Sequence, residues 1–296
     1  MLVRSEFDIQ FQLPAPAAMI AMLHLHPSLE RFTRHGNIVM IEHLHEGVSP
    51  GSEERIFASE FVDNFGNRCG RFVAPQGHLR LSGSSVIEID ARPDPVNESA
   101  RQAPIQELPH EVIPFLLPSR YCEVDRFQAI AQDLFAATPP GWSRATAIRD
   151  WVHENVRFDY MAARVTKTAM DVFNERVGVC RDFQHLAVTL SRCQNIPARY
   201  VTGYLGDIRS PYSGAGDFSA WYEVWLDGRW WTMDARHNGP RMGRVLVATG
   251  RDAADVAITT SFGEATLRHF WVESNEVRED GTIVAAERQA PPADAA

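Results

Sequence analysis

Cysteine is scarce in this chain. Its 296 residues include four, Cys69, Cys122, Cys180 and Cys193, spaced too widely for a C-x-x-C pair or a dense framework. That pattern supports neither a disulfide scaffold nor a structural zinc, and each thiol reads first as a small buried hydrophobe. Positive charge is short as well: 29 Lys and Arg stand against 38 Asp and Glu, a formal net charge of -9. A surface built to neutralise phosphates needs a basic patch, so nucleic acid and anionic membrane are not expected partners. Long apolar runs are also missing. The opening MLVRSEFDIQ has no apolar stretch behind its first arginine, and no later segment approaches the roughly 18 continuous apolar residues of a membrane span. The expected location is the cytoplasm. No internal repeat is visible, and no oxygen-rich loop suggests calcium.

What is present suffices for a substantial core, since 45% of the residues are hydrophobic. The patterning divides the chain. Residues 1–90 alternate apolar and polar positions in short stretches, such as Phe7-Ile9-Phe11-Leu13, with turn residues between them, which predicts a β-rich N-terminal domain. Residues 91–118 are polar and interrupted by proline and read as a connector. From 119 to 275 the period becomes helical, with Phe127, Ile130, Ala131 and Leu134 on one face, and then returns to strand-like runs. Residues 276–296 have little to bury and read as a flexible tail.

Within the second domain, Thr168-Ala169-Met170-Asp171 fits the start of a capped short helix that ends near Gly178. Phe183, Leu186, Ala187 and Leu190 then recur at i, i+3, i+4 and i+7, so a buried helix begins near Cys180 and stops before Asn195-Ile196-Pro197. A thiol in the first turn of a helix faces unpaired backbone N–H groups and the positive end of the dipole. Both favour a thiolate there. Asp182, in the same turn, reads as a carboxylate that complements the dipole.

Four blocks now stand in order: Gly178-Val-Cys-Arg-Asp-Phe-Gln-His-Leu-Ala, Ile196-Pro-Ala-Arg-Tyr-Val-Thr-Gly-Tyr, Ala220-Trp-Tyr-Glu-Val-Trp and Trp231-Thr-Met-Asp234. In sequence and separation they resemble the bacterial transglutaminase-like superfamily over about residues 120–265, with the preceding region resembling its N-terminal β domain. The resemblance implies an α+β, papain-like core in which a nucleophile helix packs on an antiparallel sheet. It also implies a Cys-His-Asp triad for amide hydrolysis or acyl transfer on a peptide or protein substrate, with no cofactor and no metal. Cys180 matches the cysteine and Asp234 the aspartate. The family strand reads histidine-Ala-Trp; here it reads Ser219-Ala220-Trp221.

Strand geometry locates the same position. Asp227-Gly228 between two apolar-aromatic runs is a hairpin signal, and a two-residue turn pairs residue numbers that sum to 455. Position 234 then lies opposite 221, and a side chain at 219 is diagonal to Asp234, within reach of an imidazole. A serine hydroxyl there neither accepts a thiol proton near neutrality nor spans the gap. The same register sends His237 to the opposite face unless a bulge follows Asp234. His185, five residues after Cys180 on the helix, should project elsewhere.

His24-Leu25-His26 and His43-Leu44-His45 have a spacing a metal could use, but they lack an evident carboxylate or thiol partner and read as ordinary strand histidines. Trp221, Tyr222, Trp225, Trp230 and Trp231 read mainly as sheet packing. Three readings follow: a thiol peptidase or acyltransferase impaired at its base position, a catalytically silent binding or scaffold protein, and a competent enzyme into which Ser219 has been introduced.

Overall fold

The computed structural model describes residues 1–44, 53–210 and 217–284. Alternation in the N-terminal region becomes a pair of sheets. Strand β1 (Leu2–Leu13) alternates buried and half-buried residues along its length, burying Phe7, Ile9, Phe11 and Leu13. It is followed by β2 (Ala17–Ala21), β3 (Thr33–Gly36), β4 (Met40–Leu44), β5 (Glu54–Arg55), β6 (Ser59–Val62), β7 (Arg68–Ala74) and β8 (Gly77–Glu88). The segment 91–118 carries only short 3-10 turns at Ile105–Glu107 and His110–Leu116.

The second half opens with α1 (Val124–Phe135) and α2 (Trp142–Asn155), then β9 (Arg157–Phe158), α3 (Ala169–Glu175), β10 (Val177–Gly178) and α4 (Cys180–Cys193). The Thr168–Asp171 capping box forms as the spacing predicts, and the helix it opens ends at Arg176 in the left-handed region with φ 58°. Four antiparallel strands follow in the spatial order β13 (Arg229–Met233), β12 (Phe218–Leu226), β11 (Ala198–Leu205), β14 (Arg244–Gly250). This is the α+β architecture expected, with α4 packed on the sheet.

The last two strands, β15 (Thr259–Ser261) and β16 (Thr266–Val277), leave the second half. β15 pairs with β2, and β16 runs antiparallel to β1 along nearly its whole length. The sequence patterning assigned 119–275 to one domain and 276–296 to a tail. Instead β16 is the outer strand of the N-terminal sheet, and the chain folds back so that Ile283 bridges Val277 and the Val284 N–H donates to the Glu276 carbonyl at 2.8 Å. Unpaired backbone groups on β1 explain the recruitment, because an edge needs a partner that sequence distance does not specify. Residues 285–296 of the expected tail lie outside the described residues.

Two hydrophobic cores result. One joins the N-terminal sheets to Tyr200, Tyr204, Phe218 and Val245 of the four-stranded sheet, with Cys180 packed at its margin. The other gathers α1 to α4 against Tyr222, Val224, Leu226 and Trp231. Arg192, almost fully buried at the end of α4, ties the parts together: it donates to the carbonyls of Ala198 (2.8 Å), Leu117 (2.9 Å) and Arg251 (2.6 Å). Among the described residues no helix is long and apolar enough to cross a membrane.

Candidate active site

The head of α4 is built by its own first turn. Val179 is the N-cap residue in extended conformation, and its N–H donates to Asp182 Oδ2 at 3.0 Å, while the Asp182 and Phe183 N–H groups return to the Val179 carbonyl. Asp182, read from sequence as a dipole partner, therefore caps the helix directly. Gly178 is required by this turn: a Cβ there would lie 2.6 Å from the Asp182 Cβ. The result presents Cys180 at the helix start. Of the four cysteines it alone is half-exposed, the other three being buried.

The backbone N–H groups of Arg181 and Ala220 favour the charged form of the thiol. Even so, burial pushes the thiol up to about 11, and the Asp217 carboxylate adds to the rise, while Arg236 and the two N–H groups oppose it. The helix start favours a thiolate, and burial works against it. Desolvation is the largest cause, and it favours the neutral thiol near pH 7.

Ser219 is buried in β12, across from Gly203 of β11. The hairpin forms in the expected register, from Leu226 opposite Arg229 to Tyr222 opposite Met233, with Asp227 and Gly228 at φ 51° and 78° as such a tight turn demands. Pairing stops there. Asp234 instead begins a helical turn: its carbonyl accepts from the Asn238 N–H at 2.9 Å, and its Oδ1 accepts from the N–H groups of Arg236 and His237 at 3.0 and 3.1 Å.

That turn returns His237 to the carboxylate, with Nδ1 2.9 Å from Asp234 Oδ2. The opposite-face expectation for His237 fails because the strand ends one residue before the acid. Two further partners escaped sequence reading. Arg244, at the start of β14, donates Nη2 to Asp234 Oδ2 at 3.0 Å and Nε to Asp94 Oδ2 at 2.9 Å. Gln184, one turn after Cys180, donates to Asp234 Oδ1 and to the Ala220 carbonyl, both at 3.2 Å, and accepts from the Ala235 N–H. Its only sequence signal was a polar residue beside the apolar stripe of α4. Burial of Asp234 favours the neutral acid, but the Arg244 charge and the His237 bonds override it and hold the carboxyl well below the usual range.

Other histidines have structural roles. His153 of α2 lies with Nδ1 3.2 Å from the Ala235 carbonyl and 3.0 Å from that of Arg236, bracing the turn after the acid. His185 is buried between Tyr121 and Tyr200, accepts from the Ala253 N–H at 3.1 Å, and is held neutral chiefly by burial. His24 approaches the Asn37 carbonyl at 3.2 Å and His26 the Ser28 hydroxyl at 2.8 Å; His45 lies outside the described residues. The tryptophans pack, with Trp231 edge-on to Trp142 and Trp225 against Trp230.

A thiol at the head of a helix, packed on an antiparallel sheet that carries a buried acid past its hairpin, defines a papain-like core. The model of the transglutaminase-like superfamily matches residues 128–235. A Cytophaga hutchinsonii protein of known structure, described as a proposed cysteine protease, is 30% identical, with 97% of this chain and 94% of that one aligned at a TM-score of 0.78. An uncharacterised Mycobacterium leprae protein is 30% identical over 194 residues, 62% of this chain and 67% of its own length. One from Mycobacterium tuberculosis H37Rv is 26% identical over 231 residues, 71% of this chain and 72% of its own. The chain belongs to the transglutaminase-like superfamily.

Proposed function

We propose that the chain is a thiol-dependent hydrolase or acyltransferase of peptide or protein amide bonds, slowed because Ser219 stands where an imidazole would take the proton of Cys180. The supporting observation is Cys180, partly exposed at the head of α4, on a sheet that carries buried Ser219 in β12 and buried Asp234 just past the β12–β13 hairpin. Cys180 attacks the carbonyl, an acyl-enzyme forms, and water or an amine accepts the acyl group. The N–H groups of Arg181 and Ala220 are candidates to hold the developing oxyanion. Asp234 keeps the role of the acid that would orient a base at 219. The carbonyl chemistry needs no cofactor. Four unpaired thiols suit the reducing cytoplasm.

The test is the pH dependence of Cys180 alkylation by iodoacetamide in the natural chain and in Ser219→His. Histidine at 219 should raise the rate at pH 7 by about tenfold or more and shift the profile to lower pH. An unchanged profile would show that 219 does not face the thiol. A scaffold function without turnover is favoured by one feature, the serine at 219 where an imidazole would serve as base. Cys180-dependent cleavage of any member of an amide panel by the natural chain would eliminate it.

A further inference from the structure

Resting on the assignment of Cys180 as nucleophile, one further surface acquires a role, the segment 157–165. β9 and β10 pair in parallel, Arg157 with Val177 and Phe158 with Gly178, and the Asp159 N–H continues the ladder to the Gly178 carbonyl at 3.0 Å. Two positions beyond the last pair stand Tyr160 in one segment and Cys180 in the other. The segment is fastened again past the thiol: Arg181 donates Nη2 to the Arg164 carbonyl at 2.7 Å, and the Tyr121 hydroxyl donates to the Val165 carbonyl at 2.8 Å. Gly178 and Arg181, on either side of Cys180 in the chain, thus each hold one end of the same loop. Inside it a 3-10 turn, Tyr160–Ala162, is capped by Asp159, whose Oδ1 accepts from the Met161 N–H at 2.9 Å.

This fastened loop presents apolar side chains to solvent. Tyr160 is 54% exposed, Met161 92% and Val165 76%. Its charges are engaged nearby, Arg157 with Asp159 and Arg164 with Glu175 of α3. Phe158 meets Tyr160 edge-on at 4.8 Å and tilts against Phe183 of α4 at 6.4 Å, so an aromatic chain runs from the nucleophile helix to the exposed ring. The Arg236 guanidinium lies 4.0 Å over the Phe158 ring. Single exposed apolar residues need no explanation, but three on one short loop tied to both flanks of a thiol mark a binding surface. We propose that Tyr160, Met161 and Val165 form the specificity surface for the acyl donor, and that they select an aromatic or long aliphatic side chain beside the attacked carbonyl. The acyl group is the part of a substrate that becomes joined to the sulfur, so a surface flanking Cys180 stays against it through attack and deacylation. Methionine suits such a surface, because its unbranched thioether moulds to more than one apolar shape.

Selectivity can be read on the sulfur itself, without turnover, from the alkylation rates of Cys180 with iodoacetamide and with N-phenethyl iodoacetamide, each divided by its rate with N-acetylcysteine. The S–C bond forms as iodide leaves, so the two probes differ only in the apolar arm. That arm should speed capture of Cys180 by about tenfold or more, and the double variant Met161→Ser, Val165→Ser should remove most of the advantage. Tyr160→Ser should lower it too. Val73→Ser, at an exposed apolar residue of β7, should leave it intact. No advantage for the apolar arm, an advantage that survives the double variant, or an equal loss in Val73→Ser overturns the proposal. A dimer in sedimentation that the double variant dissociates, with the advantage unchanged, assigns the surface to a second copy and overturns it as well. The nucleophile reading has its own readout, the p-nitrophenolate burst from p-nitrophenyl acetate with Cys180→Ala as the blank. A Cys180-dependent burst without arm selectivity ends this inference and leaves that reading standing; arm selectivity without a burst supports the surface and removes turnover.

Discussion

The Asp234 carboxylate accepts five hydrogen bonds while almost fully buried, from Gln184, the Arg236 N–H, the His237 N–H and ring, and Arg244. An anion so placed tolerates no loss of its counter-charge. Arg244→Met, which strands the carboxylates of Asp234 and Asp94, is expected to cost about 3–5 kcal/mol in urea unfolding; a change under about 1 kcal/mol would show that Arg244 is dispensable. Two residues also set the response to acid. His185 is depressed by burial, so below about pH 6.5 the unfolded chain binds a proton that the folded chain refuses. Asp234 is depressed by its partners, so its contribution is complete above about pH 4 and declines as the pH falls further. Both losses run the same way. The urea midpoint should fall between pH 7 and 5 and again below pH 4, and Asp234→Asn should flatten the second fall.

At the scale of elements, α4 and the β12–β13 hairpin form where local spacing places them. The apolar stripe from Phe183 to Leu190 and the Asp227-Gly228 turn are short-range signals, and short-range geometry answers them. What local spacing missed is the end of β13: a carboxylate that can cap a turn competes with continued pairing, and at Asp234 the turn wins. The head of α4 depends on Gly178. Gly178→Ala drives a methyl into the Asp182 side chain and should weaken the cap, costing about 1–2 kcal/mol. It should also change the iodoacetamide rate at Cys180. An unaltered melt and rate would mean that the first turn can shift without moving the thiol.

At the scale of the molecule, the two halves are interlocked. β15 and β16 return to the N-terminal sheets, Phe218 packs on Phe7 and Phe270, and Arg192 and Arg244 anchor 91–118 to the second half. The full chain should therefore unfold in one calorimetric transition, and a fragment of residues 119–275 should not fold alone; two separate transitions would contradict this. The sequence by itself determined that a helix starts at Cys180, that a hairpin of known register follows, and that serine occupies 219, because each depends on residues within a few positions of one another. Only the tertiary structure decided that burial disfavours the charged form of the thiol, that His237 and Arg244 share Asp234, and that the last strand pairs with the first. Burial and long-range charge set these outcomes, and neither exists until the chain has folded.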